Sequence, residues 1–241
     1  MDAFDDFSSL AALAALRVRA TLFHAPDGGP IRNLAASPSG RPMGLYQSAK
    51  AGRSLSWNEY VQQSRYLYCE ASPYVAKYMA QPHRLEINLP SGVERFFPDL
   101  RVEMRSGRVV IERLIPPKGV SVRERRNVEF ARDIYEGRGF EFRVLYASEV
   151  LGTVAEKNAR EISFDRFTVV TAGDLARARD AFEALGGEAP YARAIEALGG
   201  PGLGRARLHA LIMRGHLLID LEKPIRISSR VWLPPSVGGQ S

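Results

Sequence analysis

The chain has 241 residues and a single cysteine, Cys69. An intramolecular disulfide and a cysteine-built zinc site are therefore excluded. Cys69 lies in the apolar run RYLYCEAS, where a buried structural thiol is expected rather than a nucleophile. No stretch approaches the roughly 18 apolar residues that a membrane-spanning helix needs, so no membrane association is expected. The opening MDAFDD is acidic and lacks the basic region of a signal peptide, which predicts a cytoplasmic protein. Neither GxxxxGKS/T nor GxGxxG occurs, and the pairs Gly186-Gly187 and Gly199-Gly200 read as turns between helices. The four histidines, His24, His83, His209 and His216, are scattered without metal-ligand spacing. No internal repeat is present.

What the chain does have is a soluble globular balance, 45% hydrophobic and 25% charged, with enough length for two modest domains. Lys and Arg number 33 against 27 Asp and Glu, a net charge of +6. A basic excess suits an anionic polymer, because each Lys or Arg on a phosphate releases a counterion.

Residues 1–20 contain FSSLAALAALRVRA, which predicts a short amphipathic helix or an arm. Residues 25–53 are rich in Gly, Pro and Ser and read as a loop or basic arm carrying Arg32, Arg41, Lys50 and Arg53. A helix is expected from Ser56 to about Cys69, with Ser56 as N-cap and Glu59 completing a capping box. The segment YVAKYMAQPHRLEINLP is expected to pass from helix to strand. Strands are expected at Arg84–Leu89, Arg95–Met104 and Arg108–Ile115, split by the turns Pro90-Ser91-Gly92 and Arg105-Ser106-Gly107. A helix at Val122–Glu136 and a strand at Phe140–Tyr146 follow. Beyond a connector at 151–171, helices are expected at Ala172–Leu185, Ala189–Leu198 and Leu203–Arg214, then strands near Leu217–Asp220 and Ile225–Ser228. Three helices and a small hairpin make the winged-helix pattern, a module that binds either DNA or protein, with Arg205, Arg207 and Arg214 on the third helix as the candidates if the partner is DNA.

Three acidic positions stand out: Glu59 in SWNEY, Asp99 in FFPD, and Glu112 in the β-branched run VVIE. Carboxylates from a helix start and two neighbouring strands form a hard oxygen site suited to Mg²⁺ or Mn²⁺. Such an ion activates water and stabilises charge on a phosphodiester. Taken singly, each has a plainer reading. Glu59 caps its helix and Asp99 is a carboxylate at a strand start. Glu112, in the most apolar strand, needs a partner or a metal if it is buried.

SWNEY, YVAKYMAQPHRLEI and FFPDLRVEMRSGRVVIERL, continued by RRNVEFARDIYEGRGFEFRVLYASEV, resemble the TnsA-type endonucleases of Tn7-like transposons. These are members of the PD-(D/E)xK nucleases. The similarity covers about residues 45–150, and the C-terminal part resembles the second domain of such proteins. It implies an α/β chain: an N-terminal helix and basic arm (1–53), a PD-(D/E)xK restriction-endonuclease-like core (54–150), a connector (151–171) and a C-terminal winged helix (172–241). It implies a Mg²⁺- or Mn²⁺-dependent DNA endonuclease with Glu59, Asp99 and Glu112 as metal ligands. The implied partners are DNA, a DDE transposase and an AAA+ regulator.

One departure matters. The family motif ends Glu-x-Lys, whereas this chain reads Glu112-Arg113-Leu114. In a strand, residues i and i+2 share a face, so Leu114 takes the lysine's place and Arg113 points the other way. Lys118, just past Pro116-Pro117, is the first candidate for the substitute catalytic cation; Arg113, Arg101 and Lys77 are the others. Two further readings stay open: a catalytically weakened DNA-binding or assembly relative, and a stand-alone nuclease of phage, plasmid or defence origin.

Overall fold

The structure is a computed structural model and describes residues 19–34 and 42–235. The helix or arm expected near the N-terminus lies outside the described residues, except for its last two positions, which begin a strand. Arg41 lies outside them too. The chain is mixed α/β and divides into two compact units. One takes in residues up to Gln47, Arg53–Gln63 and Lys77–Glu149. The other takes in Ser48–Gly52, Ser64–Ala76 and the residues from Val150 onward.

The first unit is built on β1 (Arg19–Phe23), β2 (Gly44–Ser48), β3 (Arg53–Trp57), β4 (Val75–Ala80), β5 (Arg84–Leu89), β6 (Gly92–Phe96), β7 (Leu100–Met104), β8 (Val109–Ile115) and β9 (Glu141–Tyr146). Helix α1 (Tyr60–Ala71) and strand β4 run through the division between the units. Helix α2 (Val122–Glu136) belongs to the first unit alone. A four-stranded sheet runs β4-β7-β8-β9, with β7–β8 antiparallel and β8–β9 parallel. A three-stranded antiparallel sheet runs β1-β5-β6, and β2 pairs with β3.

Helix α2 begins where Ser121 accepts a hydrogen bond from the Glu124 backbone N–H, and Gly137 closes it. Its Val128, Phe130, Ala131 and Tyr135 share one core with Leu85, Ile87 and Phe96 of the three-stranded sheet and Ile111 and Phe142 of the four-stranded one. Inside that core the Tyr135 hydroxyl and His83 Nε2 share a hydrogen bond of 2.5 Å. Burial, with His24 and Arg101 adding to it, lowers the His83 pKa to about 4, so the ring is neutral at pH 7.

Several expectations change. The run Arg95–Met104 is not one strand. Pro98 cannot donate a ladder hydrogen bond, so β6 ends at Phe96 and β7 starts at Leu100 in a different sheet. YVAKYMA is largely the strand β4 rather than a helix. The Gly- and Ser-rich stretch before Ser56 holds the hairpin β2–β3. Ser56 belongs to β3, where its Oγ accepts from the Leu34 backbone N–H. It therefore does not cap α1, and the expected capping box with Glu59 is not formed.

Helix α3 (Ala147–Val150) ends on Val150, where the chain passes into the second unit for good, and α4 (Val154–Phe164), α5 (Ala172–Ala184), β10 (Glu188–Pro190), α6 (Tyr191–Ala197), α7 (Leu203–Met213), β11 (Leu218–Ile219) and β12 (Arg230–Trp232) follow. The short strands form an antiparallel sheet in the order β10-β12-β11. The stretch 151–171 holds α4, whose Ala155, Ala159 and Ile162 are buried. β10 was not anticipated, and the last strand falls at Arg230–Trp232 rather than Ile225–Ser228. Gly204 lets α7 approach α6 closely: a Cβ there would stand 2.3 Å from the Ile195 carbonyl oxygen.

Candidate functional site

Strand β8 leaves the four-stranded sheet at Ile115, and Pro116-Pro117 turns the chain toward α2. β7 enters beside it from Pro98-Asp99. The register pairs Leu100 with Glu112. Asp99 precedes that pair and Arg113 follows it, so the two stand across from each other. The Asp99 backbone N–H donates to the Glu112 carbonyl at 2.8 Å.

At this end of the sheet lies a cavity of about 600 Å³, all within the first unit. Glu59, Asp99 and Lys118 line it, with Arg32, Gln62, Arg113, Leu114 and Glu124. Glu59 stands just before α1. Lys118 Nζ lies 3.3 Å from Glu59 Oε1. Two of the three predicted metal ligands and the predicted substitute cation thus share one cavity. Glu112 is not among the residues that line it; the carboxylate is 1% exposed, inside the sheet. The register is the reason, because it sets Arg113 rather than Glu112 opposite Asp99.

Asp99 is 1% exposed and hydrogen-bonded on both oxygens. Oδ1 accepts from Gln62 Nε2 at 2.9 Å and from Gln81 Nε2 at 3.4 Å. Oδ2 accepts from Arg113 Nη1 at 2.5 Å and from the Leu114 backbone N–H at 2.8 Å. A carboxylate offers about four acceptor positions, and protein donors fill all of them. Arg113 also pairs with Glu124 through its second nitrogen. Burial opposes the Arg113 charge, but Asp99 and Glu124 outweigh it and raise the guanidinium pKa.

The network runs further. Gln81 Oε1 accepts from Arg32 Nε at 3.0 Å and Nη2 at 2.6 Å, and the Arg32 guanidinium lies 3.9 Å from the centre of the Phe97 ring. Gln81 has φ +46°, a left-handed backbone that a non-glycine residue adopts at a cost of order 1–3 kcal/mol. Its N–H donates to the Asp99 carbonyl and its own carbonyl accepts from Ile31. The strained backbone thereby aims the Gln81 amide between Arg32 and Asp99. Arg113 was expected only as an alternative catalytic cation and Arg32 only as part of a basic arm; Gln62, Gln81 and Glu124 were not singled out as site residues.

The donor set does not fit a divalent ion in this arrangement. Asp99 has no acceptor position to spare, and Glu112 is away from the cavity. Among the described residues no group of three or more His, Cys, Asp or Glu side chains is placed to hold a metal ion.

The DNA-binding candidates of the second unit separate as well. Arg205 on α7 is exposed. Arg207 turns inward: Nε lies 3.1 Å from Asp174 Oδ1 and Nη1 donates to the Leu198 carbonyl at 3.0 Å. Arg214 Nη2 donates to the Thr168 carbonyl at 2.8 Å. Also unanticipated is the buried chain Asp165–His209–Tyr191. Asp165 Oδ2 lies 2.6 Å from His209 Nδ1, and His209 Nε2 lies 2.5 Å from the Tyr191 hydroxyl. Burial pushes the Tyr191 pKa up to about 12, the wrong direction for a nucleophile, so the chain ties helices together.

A scan against protein-family models gives no match, and no curated protein matches the chain. Among the described residues no helix is long and apolar enough to cross a membrane.

Proposed function

We propose that this chain is a DNA-binding relative of the TnsA-type endonucleases, with a PD-(D/E)xK-like pocket held closed by its own arginine. The observation that carries this reading is Asp99. The carboxylate that a nuclease of this kind presents to its metal is here sealed by Arg113, Gln62, Gln81 and the Leu114 N–H. Leu114 meanwhile stands where the motif lysine would be. A protein of this build binds DNA and contributes to an assembly, with a DDE transposase and an AAA+ regulator as the partners that the resemblance implies.

The second unit supports the DNA-binding part. Its order α5, β10, α6, α7, β11, β12, with the sheet running β10-β12-β11, supports a winged-helix reading. Exposed Arg205 is the side chain on α7 best placed to meet a phosphate. The net charge of +6 favours the same partner.

A second reading, DNA cleavage, is favoured by one observation: Lys118 lies in the same cavity as Asp99 and pairs with Glu59. One experiment separates the two. The full chain is mixed with supercoiled plasmid and Mg²⁺ or Mn²⁺, and shifted and nicked species are scored together. Binding without nicking is the expected result. Nicking that Lys118→Ala abolishes would establish cleavage, and absence of any shift at low salt would end the DNA-binding reading.

A further inference from the structure

The same cavity carries a statement about its regulation, which rests on the reading of it as a closed nuclease-type pocket. We propose that Arg113 is a latch against divalent cations: its guanidinium takes the place on Asp99 that a cation would occupy, so the cavity admits a metal only when Arg113 is drawn off.

The geometry carries this in three parts. First, Arg113 Nη1 sits on Asp99 Oδ2 at 2.5 Å, the oxygen that also accepts from the Leu114 backbone N–H, and both residues line the cavity. A guanidinium cannot deprotonate in a protein, so raising the pH does not open the latch. Second, Arg113 is held from two sides, by Asp99 and by Glu124 in the first turn of α2. A planar fork engaging two carboxylates resists displacement better than a single ammonium contact. Third, a second carboxylate from a different element, Glu59 before α1 with Lys118 on its Oε1, lines the same cavity as Asp99 before β7. With Arg113 gone, Asp99 would be left as a buried carboxylate short of one charge, which is costly unless a cation replaces it.

The fork that holds two carboxylates is also the one that engages phosphate oxygens bidentately. A phosphodiester reaching the mouth of the cavity, where Lys118 is 56% exposed, competes for Arg113 in kind. The latch would then respond to DNA and stay shut in its absence.

The test is Mn²⁺ binding to the full chain without DNA, read from loss of the free-ion paramagnetic resonance signal. Wild type is expected to bind no Mn²⁺ at sub-millimolar concentration. Arg113→Gln should strengthen binding at least tenfold, and adding Asp99→Asn to it should abolish the gain. Arg113→Lys keeps the charge and the packing stem but loses the fork, and should give a smaller gain. Because it still sets a cation against Asp99, this variant keeps the test decisive if Arg113→Gln unfolds. Wild type binding as tightly as the variants would overturn the latch, as would no gain in either. No DNA is present, so failure here leaves the DNA-binding reading standing, whereas a gain here without plasmid shift would sink that reading and keep the latch.

Discussion

Arg113 and Asp99 meet because β7 and β8 are registered Leu100 to Glu112, which sets the residue before one strand against the residue after that pair. Their 2.5 Å contact joins a carboxylate that is 1% exposed to a guanidinium that is itself largely covered. A buried pair of this sort adds little net stability compared with an apolar pair, yet removing one partner strands the other.

Asp99→Ala should therefore destabilise the first unit by about 3–5 kcal/mol, since it strands Arg113 and leaves the Gln62 and Gln81 amides without their acceptor. Asp99→Asn keeps an acceptor oxygen and should cost less. Urea unfolding of the two variants beside wild type gives the comparison; equal losses would mean that charge is not what holds this network.

Lys118→Ala should change stability by less than about 1 kcal/mol, because the Lys118–Glu59 pair is open to solvent. If the plasmid assay shows nicking, the same variant should lose it while keeping its affinity for DNA.

Arg205 and Arg207, two residues apart on α7, should behave oppositely. Arg205→Ala should weaken DNA binding and reduce the slope of log affinity against log salt by about one, with the melting temperature unchanged. Arg207→Ala should lower the melting temperature, because it removes the contacts to Asp174 and the Leu198 carbonyl. Binding at three salt concentrations and a thermal melt decide both.

Gly204→Ala should destabilise the second unit severely, since its Cβ would meet the Ile195 carbonyl oxygen, a backbone atom that cannot swing aside. A drop of several degrees in melting temperature is expected, against little change for Ala206→Ser, two residues along α7, as a control. A melt unchanged by Gly204→Ala would show that α6 and α7 do not pack this closely.

His83 gives a pH dependence with a definite sign. Its folded pKa of about 4 lies below the ordinary value of 6.5, so between these values the unfolded chain binds more protons than the folded one. The stabilisation is therefore complete above about pH 6.5 and is lost as pH falls toward 4, on the order of 3 kcal/mol in all. Urea midpoints for wild type and His83→Gln from pH 7 to 4.5 should converge as the pH drops. Parallel curves would place His83 outside the cause.

Much of the framework was legible in the residues. Val122–Glu136 was readable because its apolar positions keep helical spacing and Gly137 offers a stop; the Ser121 cap came with the structure. Helices α5, α6 and α7 were delimited by glycine pairs, and β8 by its β-branched run and the double proline. The strand β4 was not legible, because YVAKYMA is apolar enough for either a helix or a strand, and only its place beside β7 makes it extended. Ser56 read as a cap since its hydroxyl would suit one; its actual donor, the Leu34 N–H, lies 22 residues away.

The site divides in the same way. Residue types and their order along the chain marked out Glu59, Asp99 and Lys118, which do line one cavity, and the resemblance marked Leu114 as standing in the lysine's place. Which side chain Asp99 would meet did not. Alternation along β8 separates Arg113 from Glu112, but it does not say which of them faces Asp99, because that depends on the register of a second strand. A shift of one residue in that register exchanges the two faces. Only the packed sheet, with α2 bringing Glu124 to the far side of the guanidinium, set Arg113 on Asp99 and left Glu112 inside the sheet.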